Sequence, residues 1–225
     1  MPEFIPIVTI DGPSGSGKGT ISRMLAEQLG WHMLDSGALY RVLGLWVLQD
    51  NCSFADVGRI EHLANNLRSR FIDGKVYLGE HDVSREIRSE ACGDVASKIA
   101  AYPEVRAALL AKQQNFSQLP GLVADGRDMG TIVFPAAFMK FYLDANVEER
   151  AKRRFLQLKG SGYNVNLQDL VTDLIQRDIR DKMRAIAPLR PAQDAIIIDS
   201  TSMNADMVFQ QILGLVRQSL SSFNV

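Results

Sequence analysis

Apolar residues in this chain fall into short continuous runs that alternate with stretches of helical spacing. FIPIVTI (4–10) is one such run, closed by Asp11-Gly12, and TISRMLAEQLG (20–30) follows with Ile21, Met24, Leu25 and Leu29 on one helical face and Gly30 as its stop. The pattern predicts strand, loop, helix. WHMLDSG (31–37), LVADG (122–126), MKFYLD (139–144) and AIIIDS (195–200) read as four further buried strands, most of them ending in Asp. Helical stretches or long connections separate the last four, so a parallel sheet covered on both faces is the expected α/β architecture.

One region breaks this rhythm. SRFIDGKVYLGEHDVS (69–84) sets Asp73-Gly74 between two β-type runs, a hairpin signal, amid helical segments 56–68 and 86–118. It predicts an α+β insertion over about residues 63–100, in the connection between strands two and three. KGSGYNVN (159–166) is glycine-rich, lies between two charged helices and suits the tip of a lid. The first of those helices starts in NVEERAKRRF, with Asn146 as cap and Glu149 three residues on. Near the end, Val208, Ile212 and Val216 mark a packing helix.

Composition narrows the class. The 225 residues are 46% apolar and 23% charged, an ordinary globular balance, and a net charge of −1 gives no reason to expect a chain built to coat nucleic acid or an anionic membrane. Cys52 and Cys92 lie far apart without a C-x-x-C pair, which suits a reducing compartment, and His32, His62 and His81 form no metal constellation. The start, MPEFIPIVTID, is too short and acidic for a signal peptide, and no apolar run approaches the ~18 residues of a membrane span. The expectation is a cytoplasmic enzyme.

The candidate chemistry begins at GPSGSGKGT (12–20). Gly12, Gly15 and Gly17 let the backbone curl so that consecutive N–H groups face an anion, and the helix beginning near Lys18 adds its positive end. Gly12, Pro13, Ser14, Gly15, Ser16, Gly17, Lys18, Gly19 and Thr20 are therefore the expected binding loop of a nucleoside triphosphate, with Lys18 on the outer phosphates. The usual pattern puts a metal-binding hydroxyl directly after the lysine; here Gly19 stands there and Thr20 comes one place late. Magnesium is then expected to be held by phosphates and water rather than by protein ligands. Asp125, at the end of LVADG, is the candidate for a second-sphere role.

A hydroxyl acceptor would call for a general base, whereas a phosphate acceptor is already ionised and needs its charge neutralised. Arginines are plentiful at the strand ends: Arg41 follows DSGALY and Arg127 follows Asp125-Gly126. On a late helix, at about 100° per residue, Asp173, Arg177, Arg180, Asp181 and Arg184 share an arc of roughly 100°, away from the centre of a Leu170, Val171, Leu174, Ile175 stripe. Each arginine close to a phosphate contributes up to ~4 kcal/mol of pairwise attraction at intermediate dielectric. Lys18, Arg127, Arg177 and Arg184, with Asp125, are the catalytic candidates. In SGALYRVLG, Gly37, Tyr40, Arg41 and Gly44 share one face opposite Leu39, Val42, Leu43 and Trp46, which reads as a ligand surface, though Tyr40 suits the core equally well.

GPSGSGKGT, DSGALYR, ADGRDMGTIVFP and RDIRDKMRAIAPL together resemble the bacterial cytidylate (CMP) kinases, over nearly the whole chain. The resemblance implies the P-loop nucleoside monophosphate kinase fold: a five-stranded parallel sheet flanked by helices, an α+β insertion in the substrate-binding domain and a short lid. On that pattern residues 1–35 are core with the phosphate loop, 36–118 the monophosphate-binding domain, 119–150 core, 151–180 lid and flanking helices, and 181–225 core. It further implies Ser36, Gly37, Tyr40 and Arg41 in the acceptor site, with Arg41, Arg127 and Arg184 on the acceptor phosphate. Ser97, Arg106 and Asp128 would meet the cytosine and Asp181 the sugar hydroxyls. Of Arg150, Arg153 and Arg154, Arg153 is the expected contact with ATP. The implied substrates are ATP, CMP and dCMP with Mg²⁺, and the implied state is a monomer acting without nucleic acid or membrane. Another monophosphate kinase, for UMP or AMP, is the alternative within the class; a guanine-reading switch would need N-K-x-D, which is absent.

Overall fold

In a computed structural model describing residues 4–72, 74–160 and 162–222, the first apolar run is strand β1 (Ile7–Asp11), and the helix after it, α1 (Lys18–Leu29), begins at the lysine itself. Gly30 stops that helix in the left-handed conformation, its N–H returning to the carbonyls of Ala26 and Glu27. Strand β2 (His32–Asp35) gives way at once to α2 (Ser36–Gln49), because the Asp35 carboxylate accepts the Ala38 N–H at 2.8 Å and caps the helix. The predicted strand through Gly37 therefore ends two residues early.

Helix α3 (Val57–Asn65) leads into three short strands, β3 (Ser69–Ile72), β4 (Lys75–Leu78) and β5 (His81–Asp82), which form an antiparallel sheet in that order. The predicted hairpin gains a third strand holding His81, and Asp73 of its turn lies outside the described residues. The helical stretch expected over 86–118 is broken into a single turn at Glu86–Arg88, α4 (Glu90–Ile99) and α5 (Pro103–Gln114). Ser89 caps α4 and Pro103 opens α5, where its missing N–H and fixed φ suit the first turn.

Then come β6 (Leu122–Gly126), a π-type turn at Met129–Val133, β7 (Met139–Asp144), α6 (Val147–Gly160), α7 (Leu167–Lys182), β8 (Ile196–Asp199) and α8 (Ala205–Ser222). The large sheet has the order β2-β6-β1-β7-β8, with β1 parallel to both β6 and β7, and β7 parallel to β8. Asp11 pairs in register with Gly126 and with Tyr142, so the ends of the three central strands lie side by side where the loops carry chemistry.

The chain forms two compact units. The first comprises residues 1–34, 116–183 and 187–225; its core sets Val8, Ile10, Val123, Phe141 and Leu143 of the sheet against Ile21 and Leu25 of α1 and Phe209, Ile212 and Val216 of α8. In the same unit α6 and α7 close a smaller cluster around Ala151, Leu158, Leu170 and Leu174. Ile175, assigned by spacing to that stripe, is 41% exposed. The strand at 196–199 is also less buried than its sequence suggests: β8 is an edge strand and Ile198 alone of its apolar residues is buried. The second unit comprises residues 35–115 and 184–186, and its core joins Leu39, Leu43 and Val47 of α2 to Ile60, Leu63, Ile99 and Leu109 of α3, α4 and α5.

Candidate active site

The phosphate loop is shaped from behind by cations. Gly12 leaves β1 at φ 153°, and a Cβ there would run into the Leu143 carbonyl; Gly15 (φ 79°) sits against the Arg150 backbone, where a Cβ would come within 2.9 Å of its carbonyl oxygen. Lys18 Nζ donates to the Pro13 carbonyl at 2.9 Å, Arg150 Nη1 to the Ser14 carbonyl at 3.1 Å and Arg153 Nη1 to the Ser16 carbonyl at 3.2 Å. These cations fix carbonyls of the loop and so constrain the directions of its N–H groups, the arrangement an anion-binding nest requires.

Arg150 and Arg153 belong to α6, whose start is capped by Asn146 accepting the Glu149 N–H at 2.8 Å. Arg150, 5% exposed, also donates from Nε to the Ala145 carbonyl at 2.9 Å and from Nη2 to Asp178 of α7 at 2.6 Å. Arg153, the residue expected on ATP, donates to Glu149, the Ser16 and Met203 carbonyls, and both the Ser200 hydroxyl and carbonyl. With every guanidinium nitrogen engaged, its observed place is as a brace under the loop.

Gly19 has a steric explanation. A Cβ at this position would lie 3.0 Å from Asp125 Oδ2, so a side chain here would press on the carboxylate near the end of β6 and force it to give by a few tenths of an ångström. The shifted hydroxyl and the strand-end carboxylate are thus two halves of one arrangement.

The DGRD segment continues from there. Arg127 donates from Nε to Asp181 of α7 at 3.2 Å and from Nη1 to the Gly126 carbonyl at 3.1 Å, and Asp181 is 1% exposed. Asp128 is buried and stands at the head of the π-type turn. Its neighbours Met129 and Gly130 donate their N–H groups to the two oxygens of Asp11, each at 2.8 Å. Burial pushes the Asp11 carboxyl up to about 7, a rise strengthened by Asp128 and opposed by those two N–H groups and by Lys18. Tyr142 of β7, in the same surroundings, is pushed up to about 12 by burial and by the Asp144 carboxylate. Arg177 and Arg180 are half-buried on α7.

Within the second unit, the remaining expected residues gather around α2, α4 and α5. Ser36 Oγ donates to Gln113 Oε1 at 2.8 Å, and Gln113, 2% exposed, carries no signal in the sequence that would have singled it out. Arg41 donates to the carbonyls of Ile87 and Ser89 at 2.8 and 3.1 Å, and its guanidinium lies where a Cβ on Gly93 would be. Gly93 is therefore a helix glycine with a purpose that spacing could not disclose. Tyr40 is buried, with the Arg106 guanidinium 5.9 Å from its ring centre. Arg106 also donates to the Ala100 carbonyl at 3.3 Å, and Arg184 reaches the carbonyl of buried Ser97 at 3.5 Å. Gly37 opens α2. Gly44, placed by sequence on the ligand face, packs on α4: a Cβ would lie 3.2 Å from the Ala96 nitrogen.

Among the described residues, no group of three or more His, Cys, Asp or Glu is placed to hold a metal, and no helix is long and apolar enough to cross a membrane.

Comparison with known proteins gives a single answer. The profile of the family described as cytidylate kinase matches residues 8–218. A cytidylate kinase of Aeromonas hydrophila is 53% identical over 224 residues, covering 98% of this chain and 97% of its own. One from Shewanella baltica is 49% identical over 230 residues, covering both chains completely. Among solved structures, a gluconokinase from Sinorhizobium meliloti 1021 aligns over 98% of this chain and 97% of its own, with a TM-score of 0.51 at 13% identity, a likeness of fold alone.

Proposed function

Since this chain belongs to the cytidylate kinase family, we propose that it transfers the γ-phosphoryl group of ATP to CMP, forming CDP and ADP. The observation that carries this reading is the family match across phosphate loop and acceptor segments alike, over nearly the full chain. We extend the proposal to dCMP as a second acceptor, and to a monomer in the cytoplasm, which suits Cys52 and Cys92 as thiols rather than a disulfide.

ATP is assigned to residues 12–20, with Lys18 exchanging the Pro13 carbonyl for the outer phosphates. The acceptor phosphate is assigned to Arg41, Arg127 and Arg184, with Ser36, Gly37 and Tyr40 shaping its site. One CMP phosphate oxygen attacks the γ-phosphorus while the bond to the β,γ-bridging oxygen breaks and ADP departs. Lys18, Arg127, Arg177 and Arg184 spread the charge of that transfer, where a well-placed arginine contributes on the order of 10³- to 10⁵-fold in rate. The Asp125 carboxylate beside Gly19 would hold Mg²⁺ through water, and the ion would supply further charge neutralisation there. The stretch 151–180 is assigned as the lid that excludes water as a competing acceptor. In the acceptor-bound state Arg127 exchanges part of its hold on Asp181, which then meets the sugar hydroxyls.

Ser97, Arg106 and Asp128 are assigned to the base. Cytosine offers an amino donor at N4 beside acceptors at N3 and O2, so a carboxylate and a guanidinium read it together, whereas uracil turns its O4 toward Asp128. That contact leaves two acceptors facing each other and selects against UMP. Asp128→Ala is expected to narrow the CMP:UMP ratio of kcat/KM by tenfold or more, an order of magnitude set by one lost charged hydrogen bond, with KM for ATP little changed. An unchanged ratio removes Asp128 from base reading.

A further inference from the structure

Asp11 is an ionisable group with no part in the assignments above, yet it lies next to both halves of them. It is the last residue of β1 and the covalent neighbour of Gly12, and it is 3% exposed. Its Oδ1 and Oδ2 accept the N–H groups of Met129 and Gly130, the first two residues of the π-type turn that Asp128 opens. N–H groups at the start of a helical turn have no acceptor within it, so a carboxylate there completes the hydrogen bonding and complements the positive end of the turn. One side chain thereby ties the residue before the phosphate loop to the residue after Asp128.

We propose that Asp11 is a positioning residue that holds Arg127 and Asp128 in register with the phosphate loop, so that acceptor binding depends on its two-oxygen hold. The inference rests on the assignment of Arg127 and Asp128 to the acceptor.

Burial also makes that hold sensitive to pH. Tyr142 of β7, paired with Asp11 in register, is itself pushed up to about 12, while burial, with the charge of Asp128 behind it and the Met129 and Gly130 N–H groups and Lys18 of α1 against it, lifts the Asp11 carboxyl to about 7. Below that pH one oxygen carries a proton and becomes a poor acceptor, so the hold weakens as the solution is acidified.

Asp11→Asn keeps the shape but turns an NH₂ group toward one of the two N–H donors. In steady-state kinetics at pH 8 it is expected to lower kcat/KM for CMP on the order of tenfold and to narrow the CMP:UMP preference, with KM for ATP changing far less. In the unmodified protein, the Met129 and Gly130 amide proton resonances are expected to shift together with a midpoint near 7. That titration decides the matter if the variant does not fold. Equal losses for CMP and ATP with the base preference intact, or amides that do not titrate together, overturn the proposal. Arg127→Ala and Asp128→Ala, measured alongside, separate the two levels: if neither affects CMP, the acceptor assignment itself fails, whereas if both do and Asp11→Asn does not, only the role of Asp11 fails.

Discussion

Gly19 and Arg153 show how far residue identity determines what the loop does. The glycine after Lys18 departs from the common phosphate-loop pattern, and the structure supplies its reason in the Asp125 carboxylate, 3.0 Å from where a Cβ would stand. Gly19→Ser, which restores the common pattern, is therefore expected to lower kcat on the order of tenfold by displacing Asp125 or the loop, since an overpacked site disturbs the alignment of reacting groups. Activity equal to the parent would mean that the carboxylate moves aside freely and that its position is incidental. Arg153 teaches the converse. Its place in a basic helix start suggests an ATP contact; in the structure its nitrogens meet oxygens of Ser16, 137 residues earlier, and of Ser200 and Met203, 47 and 50 residues further on, partners that no local pattern connects.

At the scale of elements, helices and strands were legible wherever periodicity and capping agreed. Gly30 ends α1 and Asn146 starts α6 as their chemistry requires, and Val208, Ile212 and Val216 are buried on α8. The misreadings have a common origin in tertiary context. AIIIDS looks like a central strand, but its position at the sheet edge leaves Ile197 64% exposed. Gly44 looked like part of a ligand face because it shares a helical side with Arg41, whereas what it meets is the α4 backbone. Gly44→Val is expected to destabilise the protein by ~1–3 kcal/mol through overpacking, lowering Tm in a thermal melt; a melt unchanged from the parent would show that α2 and α4 adjust without cost. The α6–α7 pair depends on a buried ion pair instead. Arg150→Met would leave Asp178 buried without its cation, and Asp178 Oδ1 has no hydrogen-bond partner among the described residues. A loss of at least ~3 kcal/mol is expected, about 6–12 °C in Tm for a chain of this size, together with a raised KM for ATP because the Ser14 carbonyl is released.

For the molecule as a whole, a net charge of −1 means that any basic chemistry must be local rather than a property of the whole surface. Transfer to a small anionic acceptor, as proposed, needs basic residues only where the phosphates meet, which a nearly neutral chain can supply. The acceptor itself was legible only through resemblance, because Ser97 and Arg106 are ordinary helix residues by composition and spacing, while the phosphate loop was legible from its residues alone. The central claim is therefore tested most directly by ADP formation from purified protein with Mg-ATP and each of CMP, dCMP, UMP and AMP in turn. Rapid turnover with CMP and dCMP, and little with UMP, AMP or water alone, is the predicted result; comparable turnover with UMP or AMP, or ATP breakdown that ignores the acceptor, would contradict it.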